Sequence, residues 1–235
     1  MHDGDDGCAS GESSRIYPRP IKFRLGRSVV HAVANLFDDT FPHVFRLAVR
    51  PRFWYRPFQY LVSRLPSRLQ GLARRHWPGP FLPPRVVLKT LAKEADTYTE
   101  LFENEQRMYR KLQPLQGHRI PVYYGEAQSE GKRALVLSLV DGVSLRAQVE
   151  PRLSVEAFRR RVEAVAAELQ TFGVVYDDLK LDNLLLVDDR LVVLDLEWVF
   201  EPEPEFLGQH AQSFVVDFVT VYKRYLKSVD DTLSG

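Results

Sequence analysis

Apolar and polar positions alternate with a period of two from Pro20 to Leu25 and again from Val44 to Arg50, which predicts two strands near the start of the chain. A third strand, Phe81 to Thr90, places Lys89 on the same face as Val87 and Leu91. From Thr97 to Leu112 the period becomes helical, with Tyr98, Leu101, Phe102, Tyr109 and Leu112 along one side. Ile120 to Tyr124 and Ala134 to Val140 predict two further strands separated by a turn around Ser129-Glu130-Gly131. Ser154 is placed to cap a helix reaching Phe172, with Phe158, Val162, Ala166 and Leu169 inward and Gly173 as its stop. Leu184 to Val187 and Leu191 to Leu194 predict a hairpin turning at Asp188-Asp189-Arg190, and Gln212 to Lys227 a last helix.

Several polar residues break this pattern. Lys89 stands on an apolar strand face and needs an anion. Glu105 falls on the apolar face of the Thr97 to Leu112 helix, four positions from both Leu101 and Tyr109, so Lys89 and Glu105 are the natural buried ion pair. Glu103 competes for Lys89 but points off the stripe. The densest intrusion is Asp177-Asp178-Leu179-Lys180-Leu181-Asp182-Asn183, set between Val174-Val175 and Leu184-Leu185-Leu186. The hairpin that follows brings Asp195 back beside Asn183. Taken alone, the cluster also reads as an Asp/Asn-rich turn between two strands.

Composition narrows the classes. A chain of 235 residues, 45% hydrophobic, can bury one large core or two small ones. A net charge of +1 argues against nucleic-acid binding by the whole protein. Cys8 is the only cysteine, so neither an internal disulfide nor a cysteine-based zinc site can form. The start of the chain is acidic without an apolar signal segment, and no run approaches the roughly 18 apolar residues of a membrane span, so an intracellular protein, cytoplasmic or nuclear, is expected. Residues 1–14 read as a disordered polar tail. Between Phe41 and Lys93 there is no acidic residue, while Arg46, Arg50, Arg52, Arg56, Arg64, Arg68, Arg74 and Arg75 accumulate around Trp54, Tyr55 and Trp77. Leu61, Leu65, Leu69 and Leu72 sit near helical spacing within this block. It reads either as a surface for an acidic partner or a membrane, or as a solvated face over a packed leucine stripe that contacts the acidic second half.

The spacing D-x-K-x-x-N, followed by a hydrophobic hairpin ending in Asp, resembles the catalytic loop and metal-binding segment of the protein-kinase superfamily. The wording of Leu82 to Lys89, Pro114 to Gly117 and Asp177 to Asn183 is similar to uncharacterised fungal proteins with a kinase-like domain, and the short second lobe resembles small atypical kinases. The resemblance implies an α+β, bilobal fold. Residues 15–137 would form a first lobe, a small antiparallel sheet plus one main helix, with the basic block around 46–80 in place of a glycine-rich loop. Residues 138–235 would form a minimal, mostly helical second lobe. It implies ATP and Mg²⁺ as cofactors, with Asp178 as the base, Lys180 stabilising the transferring phosphoryl group, and Asn183 and Asp195 holding the metal. Lys89 with Glu105 would meet the nucleotide phosphates, and Ser138, Leu139 and Val140 would form the adenine hinge, with Leu137 as the side chain at the back of the pocket. Asp217, within the last helix, would hold the catalytic-loop backbone unless it is simply exposed.

Four departures accompany the resemblance. No G-x-G-x-x-G precedes Lys89. Tyr176-Asp177 replaces His-Arg, and Asp195-Leu196-Glu197 replaces Asp-Phe-Gly, with Glu197 as an additional candidate metal ligand. No Ala-Pro-Glu follows, and about 40 residues remain after Asp195. The expected activity is phosphoryl transfer to a hydroxyl of an unidentified acceptor, of the Ser/Thr protein-kinase type. The acidic Glu201 to Glu205 loop favours a basic substrate surface. A pseudokinase binding module and a small-molecule kinase are the alternatives.

Overall fold

The computed structural model describes residues 17–37, 41–93, 95–148 and 151–233; the tail 1–14, Cys8 included, lies outside them. Its elements are β1 (Arg19–Leu25), β2 (Ser28–Leu36), β3 (Val44–Arg50), α1 (Tyr55–Ser63), α2 (Ser67–His76), β4 (Arg85–Thr90), α3 (Asp96–Lys111), β5 (Tyr123–Ser129), β6 (Lys132–Ser138), β7 (Val143–Ser144), α4 (Val155–Gln170), β8 (Val175–Tyr176), β9 (Leu184–Val187), β10 (Arg190–Val193), β11 (Val199–Phe200) and α5 (Leu207–Leu233).

The first six strands close into an antiparallel barrel in the order β1-β2-β3-β4-β6-β5. Three residue pairs, Phe23 with Ser129, Arg24 with Gln128 and Leu25 with Ala127, join β1 to β5 and remove the sheet edges. Inside, Phe23, Leu25, Val30, Leu47, Leu88 and Val136 form one apolar cluster. The expected bilobal kinase-like fold, a small sheet with one main helix above a mostly helical second lobe, is therefore corrected. The chain combines a closed six-stranded barrel with a C-terminal helix of 27 residues. Part of the reason lies in β2, which no sequence pattern flagged. Its inward positions include Ala32 and Ala34, whose small side chains mute the alternation that marks a strand.

Strands β4 and β6 are buried on both faces. Val86, Leu88, Ala134 and Val136 point into the barrel. Leu135 and Leu137, with Leu91 just past β4, point into a second cluster shared with Phe102 and Tyr109 of α3, Phe158 and Val162 of α4, and Phe214, Phe218 and Tyr222 of α5. That arrangement explains the unbroken apolar run from Ala134 to Leu137. The turn between β5 and β6 carries Glu130 and Gly131 at φ 52° and 81°, the left-handed pair that a two-residue hairpin turn requires. The Ser154 hydroxyl caps α4 by accepting the Ala157 N–H at 3.2 Å, and Gly173, at φ 67°, closes its C-terminal end.

The basic block becomes the connection from β3 to β4. Register places Val44 opposite Lys89 and Ala48 opposite Arg85, so α1 and α2 project from the barrel end remote from Lys89. They are latched to the β1–β2 turn, where the Arg27 N–H donates to the His76 carbonyl at 3.1 Å and the Gly79 N–H to the Ser28 hydroxyl at 3.2 Å. The packed leucine stripe is not realised: Leu61, Leu65, Leu69 and Leu72 all face outward, while Tyr55, Val62 and Ala73 are buried. The apparent period runs through Pro66, where the chain leaves one helix for the next and the inward face is reset.

Candidate active site

The cleft lies between the barrel and the second core, and β4 supplies its cation. Because Val86 and Leu88 occupy the barrel interior, Lys89 is turned outward into the cleft. Its Nζ lies 2.8 Å from Glu105 Oε2, 2.8 Å from Asp195 Oδ1 and 2.8 Å from Glu197 Oε1. Glu105 reaches it from the buried face of α3. Glu103 points elsewhere and pairs with Arg133 at 2.9 Å. One ammonium thus answers three carboxylates. Burial alone would lower the Lys89 pKa, but Glu105, Asp195 and Glu197 hold it well above its ordinary value. Burial pushes the Glu105 carboxyl up to about 7, with Lys89 pulling it down and Asp195 and Glu197 adding to the rise. Glu105 is the most deeply buried of the three, so the negative charge that Lys89 leaves uncompensated is least tolerated there.

The opposite wall is the Asp178 loop. The run of Val174, Val175 and Tyr176 is anchored in the second core, and the Asp177 N–H donates to the Trp198 carbonyl at 3.1 Å. Asp178 is consequently buried despite its charge, and its Oδ2 accepts from Lys180 Nζ at 2.9 Å and from Asn183 Nδ2 at 2.8 Å. Asn183 sits in a short helical turn, Leu181–Asn183, whose carbonyl takes the Leu194 N–H at 2.8 Å. Asp195, next in the chain, adopts φ 57°, a left-handed conformation rare outside glycine, and such strain concentrates at functional positions. The Tyr176 hydroxyl donates to the Leu194 carbonyl at 3.1 Å and steadies this bend.

The residues expected at the site therefore divide as follows. Lys89, Glu105 and Asp195 meet directly; Asp178, Lys180 and Asn183 are bonded to one another; and Asn183 and Asp195 line one cleft with Lys89, Glu105, Leu137, Ser138, Leu139 and Val140. That cleft has a volume of about 140 Å³. The Ser138 N–H is already committed to the Val122 carbonyl at 2.8 Å. Asp217 does not join the site: it is exposed on α5, and the loop's Asp177 N–H is held by the Trp198 carbonyl instead. Glu201 of the acidic loop is paired with Arg107 and Lys111 of α3, while Glu203 and Glu205 are exposed.

Other cleft residues gave no signal in the sequence. Phe37, Phe41, His43 and Val44, around the β2–β3 connection, line one side of the cleft. Burial, with Lys89 nearby, lowers the His43 pKa. Asn104 Nδ2 donates to the Glu197 carbonyl at 2.9 Å and the Val199 carbonyl at 2.8 Å, tying the segment after Asp195 to α3. Its position one residue before Glu105 was the only available clue.

Two buried polar atoms of this cleft have no partner among the described residues: Glu105 Oε1 and the Tyr109 hydroxyl. Buried polar groups are rarely left unsatisfied, and both belong to residues lining the same space. Ligand atoms of Glu105, Asp195 and Glu197 all lie within 4.8 Å of one another. These are hard oxygen donors, three carboxyl groups around the one ammonium of Lys89, a donor type that suits a hard cation. A scan against protein-family models and a search of curated proteins return no match.

Proposed function

We propose that this chain is an ATP- and Mg²⁺-dependent phosphotransferase that delivers a phosphoryl group to a hydroxyl, with a protein Ser/Thr as the favoured acceptor. The observation that carries the reading is that Lys89, Glu105 and Asp195 line one cleft together with Asn183, which is hydrogen-bonded to Asp178, itself paired with Lys180. The reading rests on the site and borrows nothing from fold. Asp178 accepts the proton of the attacking hydroxyl, and its bonds to Lys180 and Asn183 fix the carboxylate for that task. Lys180, largely exposed, is placed to balance charge on the group in transfer. Asn183 and Asp195 would hold the metal, with Glu197 available as a further ligand. Bound Mg²⁺ would supply compensation for phosphate charge. Lys89, oriented by Glu105, meets the nucleotide phosphates. With the Ser138 N–H occupied, recognition of the purine edge falls to the backbone of Leu139 and Val140.

Asp178→Asn keeps the shape and removes the base, so turnover is expected to fall by roughly 10²- to 10⁴-fold with the fold intact. Asp195→Asn should weaken Mg²⁺-dependent ATP binding by calorimetry. Transfer by Asp178→Asn at the wild-type rate would remove the assignment. A second reading, a nucleotide-binding module without turnover, is favoured by the aromatic Phe37 and Phe41 where backbone amides would be expected to cover phosphates. Binding of ATP by wild type with no transfer to any acceptor would select it.

A further inference from the structure

The face formed by α1 and α2 is independent of this cleft and has a chemistry of its own. Phe53, 94% exposed, leads into α1; Leu61, 65% exposed, and Leu65 follow at its end; Leu69 and Leu72 continue along α2. Tyr60 flanks them and is also exposed. Five large apolar side chains exposed on one helical hairpin are a candidate binding face, because water is a poor neighbour for them. Inward contacts are made by other residues, with Phe58 packed on Trp77 and Phe81 at ring separations of 6.3 and 6.0 Å. The outward leucines are therefore not needed to hold the hairpin in place.

Charge identifies the partner. Arg56, Arg64, Arg68, Arg74 and Arg75 are interleaved with the leucines, all are exposed, and among the described residues none of them pairs with a carboxylate. No acidic residue occurs anywhere from Phe41 to Lys93. This face interleaves one sign of charge with exposed leucines, the combination by which an interfacial segment sets its apolar side chains at the acyl boundary and its cations at anionic headgroups. No helix of the described residues is long and apolar enough to cross a membrane, so the face can lie on a bilayer without spanning it.

We infer that α1 and α2 form an interfacial docking surface for an anionic lipid bilayer. Leu61, Leu65, Leu69, Leu72 and Phe53 enter the boundary between headgroups and acyl chains, while the arginine stems extend back so that their guanidinium groups meet lipid phosphates and carboxylates. The hairpin leaves the barrel at the end remote from Lys89, so the cleft stays open to solvent when the protein is docked.

The test is flotation of the full chain with vesicles of phosphatidylcholine alone and of phosphatidylcholine mixed with phosphatidylserine, at low and at physiological salt. Two variants accompany it: Leu61→Ser/Leu65→Ser/Leu69→Ser/Leu72→Ser, and Arg64→Gln/Arg68→Gln/Arg74→Gln/Arg75→Gln. All eight positions are exposed, and circular dichroism checks that each variant is folded. Wild type is expected to bind the anionic vesicles at least ~10-fold more tightly than the neutral ones, with salt weakening the interaction, and each variant to lose at least ~10-fold. Equal binding to both vesicle types, or wild-type binding by the serine variant, overturns the inference. Retention on soluble polyglutamate without vesicle binding also overturns it and assigns the face to an acidic protein.

Discussion

Glu105 shows how far a single residue can reveal a site and how its pH behaviour follows. It is completely buried, and its pKa stands at about 7 against an ordinary 4.5, through burial and the neighbouring Asp195 and Glu197, with Lys89 opposing. The folded state therefore holds a proton that the unfolded chain has released between those two values. Stability from this group is fully present below 4.5 and is lost as pH rises through about 7. In metal-free buffer, urea denaturation across that window should show wild type losing up to about 1.4 kcal/mol per pH unit relative to Glu105→Gln. The difference between the two proteins is the readout, because Glu126, held below its ordinary range by Arg133, contributes the opposite slope at lower pH. Parallel pH profiles would mean that the three carboxylates are not sharing one cation. Glu105, Lys89 and Asp178 were legible beforehand for a common reason: each is a charge where the apolar period leaves no room for one. His43 and Tyr109 were not, because their residue types are ordinary at partly buried positions and only the folded cleft gives them meaning.

At the scale of elements, Asn104 joins α3 to the segment that carries Asp195 and Glu197. Its amide nitrogen donates to two backbone carbonyls, Glu197 at 2.9 Å and Val199 at 2.8 Å. Asn104→Ala removes both bonds and leaves two partly buried acceptors unsatisfied, so a stability loss of roughly 1–3 kcal/mol is expected in chemical denaturation. The same variant should weaken Mg²⁺-dependent nucleotide binding, since the turn holding Asp195 loses its tether. A loss of stability with unchanged nucleotide affinity would show that the tether serves only the fold. Most elements were readable from period and punctuation: α3, α4, α5 and the β9–β10 hairpin lie close to where the pattern put them. Other readings failed for physical reasons. The strand expected from Ile120 to Tyr124 runs instead from Tyr123 to Ser129, where Gly125, Glu126 and Gln128 leave no apolar alternation. The strand β2 hid behind Ala32 and Ala34, and the leucines from Leu61 to Leu72 kept a helical period across Pro66 that the chain itself does not keep. The period described a real apolar surface, but only packing decides whether such a surface faces a core or the outside.

Barrel closure was the least legible feature, because it depends on β1 meeting β5 across more than a hundred residues, and no local pattern encodes that meeting. Closure has a consequence for the molecule as a whole. The barrel interior and the second cluster are separate cores, yet β6 contributes Ala134 and Val136 to one and Leu135 and Leu137 to the other. Strand β4 divides its side chains in the same way, with Val86 and Leu88 inside the barrel and Lys89 in the cleft. Neither core can dissolve without stripping a face from strands that the other requires, so unfolding is expected as one cooperative transition. Leu135→Ala and Val136→Ala, on opposite faces of the same strand, should each cost roughly 2–4 kcal/mol and move the entire transition together. The probes are already in the chain. Trp54 and Trp77 report from the helical connection on the barrel, Trp198 from the segment after Asp195, and far-ultraviolet dichroism from all helices at once. With Trp198 replaced by Phe, fluorescence follows only the barrel side, and its midpoint should coincide with the dichroism midpoint in wild-type background and in both alanine variants. Separate midpoints would mean that the cores unfold independently and that the residues of the site are held together by less than the shared strands suggest.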